Sequence, residues 1–434
     1  MTDYFAHILP LLKVLAAFGV MLLGLRLKKP LWLAVLVGGF LLALSFHMSP
    51  WVWSVVAAKS LFQRDTVYLV LILTLILFLS ELLDKTGQTA RLMHAATGYL
   101  VGPRLRLAFF PALVGLLPMP GGAVFSAPMV RDMAGGLGLK PRDTALVNYW
   151  FRHLWELCWP LYPGIILASS LSGVPLARLI VYTLPCLGLC VLLGWIFVMR
   201  PAIAHLKPEA TAEKVEIAQS HPRNLADVLR QGLPMLIAIV CGLGFEVAMT
   251  LLAPGWPFEL GVMSALVLAI ACTLVQNRVG PGLLAGVLRS KELYKLVGLV
   301  AAILLFKDIL QESGAVAQLA DVAGSRGALF ALTLCLPFLV GLISGITVAF
   351  VGSTFPILLG VLHNIGAGDQ LLPYVTLGLF AGFTGVMVSP LHVCFVLSCE
   401  FFGVDIALAW RRLVLPCVLL LAGGVGWFFV LLRL

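Results

Sequence analysis

Charge is what this sequence has least of. Only 11% of its 434 residues are Asp, Glu, Lys or Arg, against 61% hydrophobic. A water-soluble domain carries about 25% charged residues, so these cannot cover a solvated surface. Long polar stretches are scarce too, and the longest runs from Arg200 to Arg230. Strict alternation of apolar and polar residues is missing, which argues against the strands of an outer-membrane barrel. The nine cysteines include no CxxC pair and all lie in or beside apolar blocks, so they read as small polarizable packing residues and no metal site is expected. HExxH, GxSxG and P-loop patterns are lacking, and no polar segment is large enough to fold around a nucleotide. These gaps argue against an enzyme and an ATP-driven pump, and no cofactor is expected. The formal charge of +9 raises the question of nucleic acid, but no basic helix or aromatic-interleaved motif is present. The opening MTDYFAHILP has no basic region of a cleaved leader, and the first apolar block reads as a retained helix.

What the chain has instead is apolar blocks, with mean hydropathy +1.04 overall. Helices satisfy every backbone hydrogen bond within the segment, which hydrocarbon demands. Ten blocks read as full spans: 8–25, 30–46, 66–83, 144–168 and 176–199 in the first half, then 233–252, 258–274, 293–310, 374–399 and 406–432. Two more, 107–130 and 328–362, are interrupted by Gly and Pro and read as re-entrant hairpins. Basic residues support this count. With the N-terminus outside, Arg26, Lys85, Arg91, Arg131, Lys140, Arg278, Lys291, Arg411 and Arg412 fall on the cytoplasmic side, whereas the outer gaps hold chiefly Lys59, Arg64 and Arg326. The pattern works only if both interrupted stretches return to the side they left.

The halves share an order of features. FPALVGL with Pro111 and Gly115 matches LPFLVGL with Pro337 and Gly341, an offset of 337 − 111 = 226. Ser80–Leu92 matches Lys307–Leu319, Trp159–Leu167 matches Ser389–Leu397, and LPC recurs at 184–186 and 415–417. The expected fold is an all-α polytopic membrane protein of two inverted five-helix repeats, residues 1–199 and 231–434, joined by a cytoplasmic linker at 200–230. Each repeat carries a hairpin and a broken helix, 144–168 or 374–399.

Chemistry is expected where these interruptions meet. Pro118 to Ala123 cannot continue a helix, and the counterpart Gly341–Thr347 is flexible and rich in hydroxyls. Two such tips reaching mid-membrane offer free N–H groups and helix N-terminal dipoles, which suit an anion. Pro120, Gly121, Gly122, Ser344, Gly345 and Thr347 are therefore substrate-binding candidates. A bland alternative is a Pro/Gly loop that binds nothing. On the first broken helix Asn148, Arg152 and Glu156 share a face at i, i+4, i+8. Arg152 can clamp a carboxylate, or simply neutralise Glu156. His153 faces elsewhere and reads as a packing residue or proton relay. The second broken helix offers Thr384 and Ser389, with glycines that equally suit plain helix packing. Ser126, Glu156, Ser353, Thr354 and His392 are the coupling-ion candidates.

This order of spans, hairpins and broken helices resembles the ion transporter superfamily of gluconate permeases, citrate-type symporters and divalent-anion/sodium symporters. The segment LVGLLPMPGGAVFSAPMV, Leu113 to Val130, resembles the signature of a ten-helix family, domain of unknown function 401. The resemblance covers nearly the whole chain. It implies a scaffold domain and a mobile transport domain with elevator-type alternating access, a homodimer, and residence in the inner membrane of a prokaryote with both termini outside. Sodium-coupled members carry Ser-Asn-Thr at the tips; here both tips lack Asn, so H⁺ stands beside Na⁺ as coupling ion. The expected function is ion-coupled transport of a small organic anion, a carboxylate or sugar acid. The partners are that solute and membrane lipid, with no nucleic acid. Alternatives are a cation/proton antiporter or metalloid efflux permease and, in another class, a membrane scaffold or intramembrane enzyme.

Overall fold

The computed structural model describes residues 2–27, 29–100, 103–118, 122–204, 224–252, 257, 259–315, 317–318 and 325–434. Among these residues the secondary structure is helical and no strand occurs. The first half runs α1 (Thr2–Arg26), α2 (Leu31–Ser45), α3 (Pro50–Phe62), α4 (Arg64–Lys85), α5 (Gln88–Thr97), α6 (Pro103–Gly115), α7 (Ala123–Leu137), α8 (Pro141–Arg152) and α9 (Pro163–Ser172). Helix α10 (Leu176–Leu193) continues through a π-helical turn, Gly194–Met199, into Arg200–Ile203. The second half opens with α11 (Leu225–Leu236), which likewise passes through a π-helical turn, Ile237–Cys241, into Gly242–Leu252. There follow α12 (Glu259–Asn277), α13 (Pro281–Leu288), α14 (Lys291–Glu312), α15 (Arg326–Ser344), α16 (Thr347–Asn364), α17 (Leu371–Val388), α18 (Val393–Phe402) and α19 (Ile406–Leu431).

Long aliphatic runs make these helices, and short polar residues start several of them. Ser290 accepts the Leu293 N–H at the head of α14, Ser325 the Ala328 N–H at α15, and Asp405 the Leu408 N–H at α19. Eight helices among the described residues are long and apolar enough to cross a membrane, so the chain is a multi-pass membrane protein. Helices α15 and α16, with 19 and 18 residues, reach that length, whereas α6 and α7, with 13 and 15, fall short of the roughly 20 a crossing needs.

The elements repeat in order. Helices α4 and α14 both have 22 residues, and each is followed by a left-handed glycine, Gly87 at φ 70° and Gly314 at φ 71°. Helices α9 and α18 both have 10 residues and end on left-handed Gly173 and Gly403. Contacts form two groups. Helices α1–α4 pack with α11, α12 and α14, while α6–α9 pack with α15–α18, flanked by α10 and α19; α14 against α16 is a principal seam between them. Within the second group α7 packs on α18, and α16 packs on α9, so each outgoing hairpin arm rests on the other half's broken helix.

The structure adds three short helices, α3, α5 and α13, to segments the sequence left as connections. It also shortens the second hairpin turn. Gly341 to Ser344 remain helical, and only Gly345 and Ile346 separate α15 from α16. Gly345 ends α15 at φ 64° with its N–H on the Gly341 carbonyl, 2.8 Å away, a left-handed cap that glycine takes without strain. Residues 205–223, most of the expected linker, lie outside the described residues.

Candidate functional site

Two helices break in mid-course for a local reason. Helix α8 stops at Arg152, turns occupy much of His153–Tyr162, and α9 restarts on Pro163. Pro160 and Pro163 supply no N–H, so the helical ladder cannot run through. Helix α17 stops at Val388, Ser389–His392 form the break around Pro390, and α18 restarts at Val393. Each broken helix packs tightly against a hairpin arm. A Cβ added to Gly115 of α6 would collide with the Arg152 carbonyl, and one added to Gly341 of α15 would collide with the Gly382 carbonyl. Backbone meets backbone at both places, which only glycine allows.

The charged groups take opposite places at the two turns. Arg152 is 3% exposed, and its guanidinium lies so close to Gly122 that a Cβ there would overlap it. Gly122 caps the N-terminus of α7. Glu156, 8% exposed, accepts the hydroxyl of Thr347, the first residue of α16. Helix N-termini carry partial positive charge. Glu156 therefore compensates the dipole of α16, whereas Arg152 adds a second positive group beside that of α7. A guanidinium thus sits at the first turn and a carboxylate at the second.

A ring of buried side chains ties the breaks together. Tyr149 donates to the Met387 carbonyl at 2.9 Å, and Tyr162 to the Gly115 carbonyl at 2.5 Å. His153 meets the Tyr149 carbonyl through Nδ1 at 2.7 Å, and His392 meets the Gly345 carbonyl through Nδ1 at 2.6 Å. The two rings then face each other, Nε2 to Nε2, at 2.9 Å. Cys394 completes a cluster in which one donor atom from each residue lies within 4.8 Å of the others. These three are the described side chains grouped closely enough to hold a metal ion.

The sequence candidates divide accordingly. Gly122, Arg152, Glu156, Gly345, Thr347 and His392 gather at the breaks and turns. Ser344, also at the turn, exchanges hydrogen bonds with the Ile346 backbone, and Ser389 accepts the Leu391 N–H within the second break. Asn148 is a brace. Its amide accepts from Ser126 at 2.6 Å and donates to the Ala123 carbonyl and to Ser398, each at 3.0 Å, joining α7, α8 and α18. Ser353, Thr354 and Thr384 donate to carbonyls four residues back on their own helices. Pro120 and Gly121 lie outside the described residues. Tyr149, Tyr162, Cys394 and Ser398 escaped the sequence reading. Tyr162 was within reach, because the offset of 392 − 162 = 230 equates it with His392, and both side chains hydrogen-bond to carbonyls of the hairpins.

Interrupted helices around buried charge define this as an all-helical, multi-pass membrane protein built around helix breaks. The chain belongs to the family described as "Protein of unknown function (DUF401)", whose profile spans residues 11–432. A search of curated proteins gives no match. Among solved structures the fold is similar to that of the YdaH transporter of Alcanivorax borkumensis, whose report describes an unusual topology, with TM-score 0.60, 18% identity and 86% of each chain covered.

Proposed function

We propose that this protein is an ion-coupled secondary transporter of a small organic anion, of carboxylate or sugar-acid type. The observation that carries the reading is the buried guanidinium of Arg152 resting on the N-terminus of α7. A guanidinium and a helix N-terminus present positive charge together, and a planar guanidinium holds a carboxylate through two parallel bonds. The similarity in fold to a transporter structure supports the class.

In this reading the halves are inverted repeats. Matched helix lengths, matched left-handed glycines and the crossed packing of α7 on α18 and α16 on α9 support it. The two hairpins are re-entrant, and their group of helices moves as a transport domain against the α1–α4, α11, α12 and α14 scaffold. Coupling uses H⁺ or Na⁺. The protein works as a homodimer in the inner membrane of a prokaryote, with both termini outside. The experiment is uptake into proteoliposomes. Labelled carboxylates and sugar acids are offered with and without Na⁺ and pH gradients, and an Arg152→Gln preparation is the control. Gradient-driven, Arg152-dependent uptake is expected; equal uptake by both preparations would remove Arg152 from the substrate site.

A further inference from the structure

The contact between His153 and His392 poses a chemical question. The Nδ1 of each ring faces a backbone carbonyl, Tyr149 at 2.7 Å and Gly345 at 2.6 Å. A carbonyl oxygen only accepts, so each Nδ1 carries the hydrogen. In the neutral rings both Nε2 atoms are then bare lone pairs, and they stand 2.9 Å apart in a buried site. Two lone pairs at that distance repel. Something positive belongs between them.

We propose that His153 Nε2, His392 Nε2 and Cys394 Sγ form a binding site for a zinc-like transition-metal ion. Four features of the chemistry agree. Imidazole nitrogen and thiolate are the donors such ions favour over oxygen. Both ring N–H groups are anchored on backbone carbonyls, the support that fixes the tautomer and aim of a metal-ligating histidine. The three donor atoms already lie within 4.8 Å of one another. On a tetrahedral ion with bonds of about 2.0–2.1 Å to nitrogen and 2.3 Å to sulfur, donor atoms stand about 3.3–3.6 Å apart, so the nitrogens open by a few tenths and the sulfur closes in.

Binding takes in one divalent ion and releases the Cys394 thiol proton, leaving two neutral imidazoles and one thiolate on the metal. The fourth position stays open to water or a solute oxygen. His153 belongs to the first break, and His392 with Cys394 to the second, so the ion would pin the two broken helices together. His392 also holds the Gly345 carbonyl, so the second hairpin turn is tied to the same point. The assignment is independent of transport, since it concerns the folded protein alone.

The test uses the full chain in detergent, stripped with a chelator and titrated with Zn²⁺ against a competing chelator. Co²⁺ substitution reads out the ligands by absorbance. One equivalent of Zn²⁺ per chain is expected, with a thiolate-to-cobalt charge-transfer band. Cys394→Ser should abolish that band, and the His153→Gln/His392→Gln pair, which removes two direct ligands, should weaken binding by more than the roughly 10–100-fold that loss of an outer supporting partner costs. Glutamine keeps a polar group at each position, and elution as a folded species in size exclusion qualifies each variant. Folded wild-type protein that binds no stoichiometric Zn²⁺, or binding unaltered in the folded double variant, overturns the site. Nitrogen NMR showing one proton shared between the rings, with added Zn²⁺ leaving it in place, overturns it as well.

Discussion

Thr347 and Glu156 are 191 positions apart, yet the hydroxyl of one donates to the carboxylate of the other in the buried centre of the protein. The bond joins the first turn of α16 to the break after α8, so one half of the chain supplies the counter-charge for the other half's helix dipole. Thr347→Val removes the donor with little change in volume. The cost of leaving that carboxylate oxygen without its partner is about 1–3 kcal/mol. A lower melting temperature in detergent is expected, with Thr347→Ser restoring most of it. A wild-type melting temperature in the valine variant would show that the bond carries no stability.

The glycine contacts predict a contrast within one protein. Gly115→Ala and Gly341→Ala both drive a Cβ into a backbone carbonyl, at Arg152 and Gly382, and neither carbonyl can rotate away. Overpacking of this kind costs typically about 1–3 kcal/mol. Gly135→Ala on α7 meets nothing within 4 Å and is the matched control. That substitution should leave stability unchanged or raise it by up to about 1 kcal/mol, the usual helix preference for alanine. Thermal unfolding of the three variants side by side checks the ranking.

Asn148 separates bracing from binding. Its side chain is committed to Ser126, Ala123 and Ser398. Asn148→Ala severs three hydrogen bonds at about 1 kcal/mol each and leaves Ser126 only its longer bond to the Ala123 carbonyl, at 3.3 Å. The expected result is a marked loss of thermal stability together with unchanged solute affinity in the fraction that remains folded. A specific loss of affinity at normal stability would instead return Asn148 to the binding site, where its place on the Arg152 face had put it.

Those outcomes bear on what could be read from the chain. The helices were legible because hydrocarbon leaves few other backbone solutions, and Gly and Pro mark where the ladder stops. Arg152 and Glu156 were legible for a related reason, since a charge amid apolar residues stands out. Helices α3, α5 and α13 are too short to stand out as membrane spans, although the Ser49-Pro50 start of α3 is a recognisable cap. From sequence His153 reads as a packing residue or proton relay, and Cys394 as a packing residue. They lie 241 positions apart (394 − 153), and no local spacing announces them; only the meeting of two broken helices makes them neighbours.

Arginine and lysine are not equivalent at the first turn. Arg152 presents a flat fork beside the α7 N-terminus, whereas lysine at the same place would present a point charge on a flexible stem. If the role is only to balance Glu156, Arg152→Lys should be benign and Glu156→Gln should be as damaging as Arg152→Gln. If the role is to grip a carboxylate, the three variants fall in a different order. Arg152→Gln loses a buried charge partner, about 2–5 kcal/mol, or roughly 30-fold to several thousand-fold in affinity. Arg152→Lys keeps the charge but loses one of two parallel bonds, roughly tenfold. Glu156→Gln keeps an oxygen to accept the Thr347 hydroxyl and removes a nearby negative charge, so solute binding should hold or tighten while ion coupling suffers. Equilibrium binding of a labelled carboxylate to the three purified variants gives the order directly. A benign lysine with a crippling Glu156→Gln would mean that Arg152 serves the protein's own charge balance and that the anion, if one is carried, is held elsewhere.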